Sequence, residues 1–175
     1  MDLYEKSKNK YKNCVNLLAS GSILNEAIAA SKILKDDWKI DSNLWSVTSF
    51  SEIRRDAEDV ERWNNLNPLS TPKKSHIGNC LNLKTPVIAV SDYVKLVAEQ
   101  IAPYISSSFT ALGTDGFGRS DTRENLRDFF EINRYYITLA AINSLIKEGK
   151  LKKEVLSKAI KQYGIDPNKI NPLKK

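Results

Sequence analysis

The sequence predicts an α/β protein of three layers: a mostly parallel sheet of about five strands between two layers of helices, with two extra helices at the C-terminal end. Three observations carry this expectation. Four times along the chain a short apolar run of strand length is followed by a stretch with helical spacing. The strand-length runs are short and apolar, as strands covered on both faces of a parallel sheet are. From Tyr135 onward the helical pattern continues and no further strand appears. With 175 residues, 41% hydrophobic and 27% charged, the chain reads as one domain over residues 1–175. A chain of that length buries a core without needing a disulfide or metal staple.

Taken in order, CVNLLASGS (Cys14 to Ser22) is a strand that stops at Gly21. Ile23, Leu24, Ala27, Ile28, Ser31 and Leu34 then recur at spacings of three and four, on one face of a helix ending near Trp38. LWSVTSF (Leu44 to Phe50) is rich in β-branched and aromatic residues and predicts the second strand. The helix SEIRRDAEDVERWN follows it, capped by Ser51 or Ser49. Arg54 and Arg55 sit among acids there, and pairing one helical turn apart is the simplest account of them. Asn64 to Thr85 contains Pro68, Pro72 and Gly78 and reads as a long irregular crossover with one short helix around Ile77 to Leu81.

PVIAVSD (Pro86 to Asp92) predicts the third strand, and Val94, Val97, Ala98 and Ile101 mark a helix limited by Pro103. FTALGTDGFG (Phe109 to Gly118) predicts a fourth strand running into a glycine-rich loop. Asp121, with Glu124 three residues later, makes a capping box for a helix through Phe130. Leu3 to Glu5 is a weak or antiparallel edge strand. Tyr135 to Ile146 is apolar almost all round and predicts a helix buried on most sides, with Gly149 as its stop. Leu151, Val155, Leu156, Ala159, Ile160 and Tyr163 form the stripe of a last helix that Gly164 ends, and the tail IDPNKINPLKK is expected to be extended.

The net charge of +6 would on its own invite a nucleic-acid or membrane partner. Its distribution argues against both. Lys147 to Lys175 holds nine lysines and three acids, so the rest of the chain carries 18 basic and 18 acidic side chains and sums to zero. Lys152, Lys153, Lys158 and Lys161 lie opposite the apolar stripe of the last helix without arginine neighbours, as a solvated face does. Cys14 and Cys80 are far apart, outside any zinc or redox spacing, and read as reduced thiols. The polar, lysine-rich N-terminus does not resemble a signal peptide, and no apolar run is long enough to span a bilayer. The expected location is cytoplasmic.

Ligands of open α/β sheets bind beyond the carboxyl ends of the strands. Two loops qualify, Ala19 to Ser22 and Gly113 to Glu124. The second is the more unusual, with three glycines, and its candidate residues are Asp115, Arg119, Ser120 and Asp121. One reading is an anion or substrate site in which Arg119 offers a fork of donors and the aspartates act as acids or orienting groups. The other gives the glycines to turns, Asp121 to a cap and Arg119 to a domain or subunit contact. The lone His76 has no carboxylate at a catalytic spacing and reads as a surface or packing histidine. No phosphate-binding glycine motif is present.

WSVTSFSEIRRD (Trp45 to Asp56), ERWNNLNP (Glu61 to Pro68), SDYVKLVAEQI (Ser91 to Ile101), GTDGFGRSDTRENLRDFFE (Gly113 to Glu131) and the ending YGIDPNKINPL are similar to the C-terminal domain of the homodimeric pyruvate dehydrogenase family. The resemblance runs over essentially the whole chain. It implies a transketolase C-terminal-like fold, a homodimer, and a partner in the dihydrolipoyl acetyltransferase component of the pyruvate dehydrogenase complex. It also implies that thiamine diphosphate and Mg²⁺ are held by N-terminal and middle domains that this chain lacks. Thr114-Asp115-Gly116 echoes the family's thiamine motif but lacks its first glycine; Asn64-Asn65 lies upstream and cannot close it. No catalytic, cofactor-binding or metal residue of the family therefore maps here. The implied role is dimerisation and domain packing within an enzyme that decarboxylates pyruvate, with the chain inactive alone. The alternative is a stand-alone, non-catalytic assembly module that kept the fold.

Overall fold

The structure, a computed structural model, describes residues 1–8, 10–82 and 84–174. Its sheet has five strands: β1 (Asp2–Glu5), β2 (Asn13–Ala19), β3 (Ile40–Ser46), β4 (Val87–Val90) and β5 (Phe109–Leu112). They stand in the order β1-β3-β2-β4-β5, and all neighbours are parallel except the β1–β3 pair. The expected antiparallel edge strand is therefore present, with its register shifted between Leu3 and Glu5.

β2 is central, flanked by β3 and β4, so it must be apolar on both faces. Successive side chains take opposite sides. Val15, Leu17 and Ala19 meet α1 (Leu24–Trp38), α6 (Arg134–Lys147) and α7 (Lys153–Gln162) in one core. Leu18 joins Trp45, Val87 and Ala89 against α2 (Phe50–Leu66), α3 (His76–Cys80) and α4 (Lys95–Glu99) in the other. The three layers follow from this division, and the two C-terminal helices thicken one layer as expected.

Four boundaries differ from the sequence reading. β3 begins at Ile40 and ends at Ser46, four residues earlier than the predicted run from Leu44 to Phe50. Lys39, in the left-handed conformation at φ 55°, turns the chain out of α1 straight into the strand. The polar stretch that disguised it is satisfied in place. Asp41 accepts from Tyr11 N at 2.8 Å, Ser42 Oγ lies 2.7 Å from Ser31 Oγ, and Asn43 donates to Asn16 Oδ1 at 3.1 Å. Phe50 consequently opens α2, with Ser49 as its cap, accepting from Glu52 N at 3.2 Å.

The helix expected from Val94 to Ile101 is only five residues long, followed by a 3₁₀ turn at Ala102–Tyr104 around Pro103. In α5 (Arg123–Phe129) Thr122, not Asp121, is the N-cap: Thr122 Oγ1 accepts from Asn125 N at 3.3 Å. Asp121 instead accepts from Thr122 N and Asn125 Nδ2, which hold its carboxyl below the usual value. The tail is not simply extended, since Pro172–Lys174 form a 3₁₀ turn. Lys169 Nζ ties the tail to Asp128, meeting its main-chain oxygen at 2.5 Å and its carboxylate at 3.2 Å.

Leu17 is fully buried at the centre of the sheet. Leu17→Ala should lower stability by about 2–5 kcal/mol, because the rigid surroundings cannot close the cavity. Urea unfolding followed by circular dichroism checks this; an unchanged midpoint would contradict the two-faced packing of β2.

Candidate functional site

Two strands with crossovers in opposite directions stand side by side at the middle of the sheet. The chain leaves β2 through α1 toward β3, and leaves β4 through α4 toward β5. Their carboxyl ends thus form the switch point where open α/β sheets accept ligands. A crevice of about 400 Å³ opens there, lined by Ser20, Ser22, Thr48, Ser49, Asp92 and Tyr93. Most of these groups are already engaged. Ser20 Oγ donates to Ser91 Oγ at 3.3 Å, Ser22 Oγ to Asp92 Oδ2 at 2.7 Å, and Ser49 caps α2.

The two loops that follow β4 and β5 are fastened to each other along their backbones. Thr114 N donates to Tyr93 O at 2.9 Å, Thr114 Oγ1 to Asp92 O at 3.0 Å, and Lys95 N to Asp115 Oδ1 at 2.7 Å. Gly113 makes this approach possible. A Cβ at that position would lie 2.5 Å from Tyr93 O and 2.6 Å from Lys95 N, which no side chain tolerates.

Below the crevice lies a charged network that sequence reading did not reveal. Glu26 of α1 is buried, yet its carboxylate receives Arg127 Nη1 at 3.2 Å, Arg134 Nε and Nη2 at 3.0 Å, and Arg134 N at 2.9 Å. Arg127 continues to Ser22, meeting its carbonyl at 3.2 Å and its hydroxyl at 3.0 Å. Burial alone would raise the Glu26 pKa. The hydrogen bonds and charge of Arg134, with Arg127 behind them, outweigh it and hold the carboxyl below its ordinary value. A chain of contacts therefore runs from Asp92 through Ser22, Arg127 and Glu26 to Arg134. A glutamate three residues after Ile23 on an otherwise apolar helix face was the one available signal. A wider cleft of about 860 Å³ opens beside this network, walled by Arg123, Arg134, Tyr135, Tyr163 and Lys169.

The sequence-predicted residues separate into two groups. Asp115 is half-buried, its carboxylate committed to Lys95 N, with Lys95 Nζ 3.9 Å away. Arg119, Ser120 and Asp121 are exposed beyond it, and the Arg119 guanidinium lies 4.1 Å from the centre of the Phe129 ring. Asp115 is thus a fastening of the loop, and Arg119 stacks on α5. His76 sits on α3, with Nε2 3.5 Å from Cys80 Sγ and 3.3 Å from Met1 O. Cys14 and Cys80 are both unpaired by disulfide, and burial pushes the Cys14 thiol up. Among the described residues no three His, Cys, Asp or Glu side chains converge as metal ligands. Among the described residues no helix is long and apolar enough to cross a membrane.

The mostly parallel sheet with helices on both faces is that of an open three-layer α/β domain. The chain belongs to the transketolase-like TK C-terminal domain family, whose model matches residues 3–133. Proteins named pyruvate dehydrogenase E1 component resemble it over most of its length, matching it with their C-terminal portions. The protein of Cupriavidus necator is 51% identical over 160 residues, covering 91% of this chain and 18% of the relative. That of Pseudomonas aeruginosa is 49% identical over 175 residues, covering 99% and 20%, and that of Escherichia coli K12 is 46% identical over 173 residues, covering 98% and 19%. The chain thus spans about one fifth of the length of these relatives. Among solved structures, a chain titled split gene transketolase, inactive beta4 tetramer, aligns with a TM-score of 0.55 at 15% identity, over 83% of this chain and 42% of that one. The last likeness bears on the fold alone.

Glu26→Ala should cost about 3–5 kcal/mol, because it leaves the Arg127 charge buried without its carboxylate. The same pairing sets a pH dependence. A carboxyl held low in the folded state contributes stability that is fully present above its ordinary value of 4.5 and is lost as pH falls through its lower, folded-state pKa. Glu26→Gln should therefore flatten the loss of stability on acidification, as measured by urea midpoints between about pH 6 and pH 3. Gly113→Ala should destabilise by about 1–3 kcal/mol through the clash with Tyr93 and Lys95; a neutral thermal unfolding result would show the two loops are not fastened as described.

Proposed function

We propose that this chain is the C-terminal portion of pyruvate dehydrogenase (acetyl-transferring), serving dimerisation and domain packing within that enzyme. The observation that carries the reading is identity of about half over nearly the whole chain with one fifth of each relative. The complete enzyme decarboxylates pyruvate in the cytoplasm and acetylates the lipoyl group of the acetyltransferase component. Thiamine diphosphate and Mg²⁺ belong to its other domains, and this domain's own residues supply no ligand to them. Its contribution is a rigid carboxyl end, where Asp115, Gly113 and Thr114 fix the loops, and an exposed Arg119 held over Phe129 for contact with a neighbouring domain or subunit.

The test is a chimera. Residues 1–175 replace the matching C-terminal portion of the Pseudomonas aeruginosa relative, and pyruvate decarboxylation is measured with thiamine diphosphate and Mg²⁺. The chimera should turn over, whereas the chain alone should show neither decarboxylation nor calorimetric binding of the cofactor. An inactive chimera of native size, or turnover by the chain alone, would overturn the reading. In the active chimera Arg119→Ala should weaken assembly or activity several-fold while leaving the melting temperature of the isolated domain within about 2 °C.

A further inference from the structure

The carboxyl end of the sheet carries an unusual set of apolar side chains. Phe117 is 81% exposed, Leu96 71%, Tyr93 70% and Val94 47%. They stand on the loop after β5 and on the loop and first turn of α4 after β4, which the Thr114–Tyr93, Thr114–Asp92 and Lys95–Asp115 hydrogen bonds make one unit. A third segment adjoins them, since a Cβ on Gly116 would lie 2.8 Å from Pro172 O, and Leu173 beside it is 58% exposed. We infer that this rim, centred on Phe117 and Leu96, is the surface on which the other four fifths of the pyruvate dehydrogenase E1 chain docks. The inference rests on the reading given under the proposed function and assigns the packing surface within it.

Three features favour the rim over other exposed apolar residues. Two of its carboxylates are already engaged within the domain: Asp115 accepts from Lys95 N with Lys95 Nζ 3.9 Å away, and Asp92 accepts from Ser22, which lowers the cost of covering them. Its backbone is fastened at Tyr93, Lys95 and Thr114 by those same contacts, which lowers the conformational entropy lost on docking there. Large exposed apolar side chains on ordered loops mark interaction sites rather than random surface. Leu3 and Tyr4, by contrast, lie on a four-residue edge strand between Asp2 and Glu5 with a shifted register, features that discourage pairing along an edge. The occupant follows from length. About four fifths of each relative lies outside the matched portion.

The chimera described above decides the matter when it carries Leu96→Asp and Phe117→Asp together. Both side chains are exposed, so the isolated 175-residue chain with these changes should melt within about 2 °C of the unsubstituted one. In the chimera the pair should lower pyruvate decarboxylation about tenfold or more and split thermal unfolding into two transitions. Leu69→Asp, on a fully exposed side chain elsewhere, should change neither. Retention of activity and of a single transition by the double variant would overturn the assignment, and so would an equal loss with Leu69→Asp. An unsubstituted chimera that is itself inactive would instead bring down the enzyme reading on which the assignment rests.

Discussion

A buried carboxylate between two arginines holds the carboxyl end of this domain together. Glu26 projects from α1, Arg127 from α5 and Arg134 from the first turn of α6, so one anion ties α5 to α1 and α6, which already share an apolar core. α5 has no fully buried residue of its own and lacks the apolar stripe that seats α6. Its position depends on Arg127 reaching both Glu26 and Ser22. Isolated buried charges are costly, and this one is tolerable because four donors converge on the two oxygens of Glu26.

That joint has consequences at the surface. By holding Ser22, Arg127 also fixes the hydroxyl that donates to Asp92, and Asp92 O in turn accepts from Thr114. The loops after β2, β4 and β5 are therefore linked to a single charged centre through short contacts. The groups so engaged, Ser22, Asp92 and Thr114, hold loops, and beside them stand the exposed apolar side chains of Tyr93, Leu96 and Phe117, which suit packing against another folded surface. The hydroxyl-lined crevice at the switch point illustrates the same division: the fold supplies the position, and the side chains there are used to hold loops.

The order of strands and helices was legible in the sequence because both cores are built from local periodicity. Val15, Leu17 and Leu18, and the run from Val87 to Val90, announce their strands without help from the rest of the chain. β3 was misplaced because half of it is polar, and its polarity is satisfied by Ser7, Tyr11, Asn16 and Ser31, residues on other segments. The cap of α5 was misplaced by one residue because Asp121 and Thr122 can each accept from Asn125, and the backbone angle that decides between them is not written in residue type. The Glu26 network was invisible for a stronger reason. Its partners are 101 and 108 residues away along the chain, beyond any local pattern. The Gly113 to Glu124 loop was noticed for its glycines, yet what singles out Gly113 is the backbone of Tyr93 and Lys95 pressed against it.

The distribution of charge fits this account. Apart from the segment from Lys147 to Lys175, basic and acidic residues balance at 18 each, and near the rim Asp92, Lys95 and Asp115 are paired or hydrogen-bonded within the domain. Several C-terminal lysines have structural employment: Lys150 pairs with Glu148 at 2.6 Å, Lys158 lies 5.8 Å from the centre of the Trp38 ring, and Lys169 fastens the tail to Asp128. Lys152, Lys153 and Lys161 stand exposed at the start and along the outer face of α7, where water solvates them. A uniform positive field would have opposed burial of any end of the molecule against a neighbour of ordinary charge. Most of the excess stands on and around α7, whereas Arg119 and Lys174, which border the rim beside Phe117 and Leu173, remain cations that a covering surface must match with acids of its own.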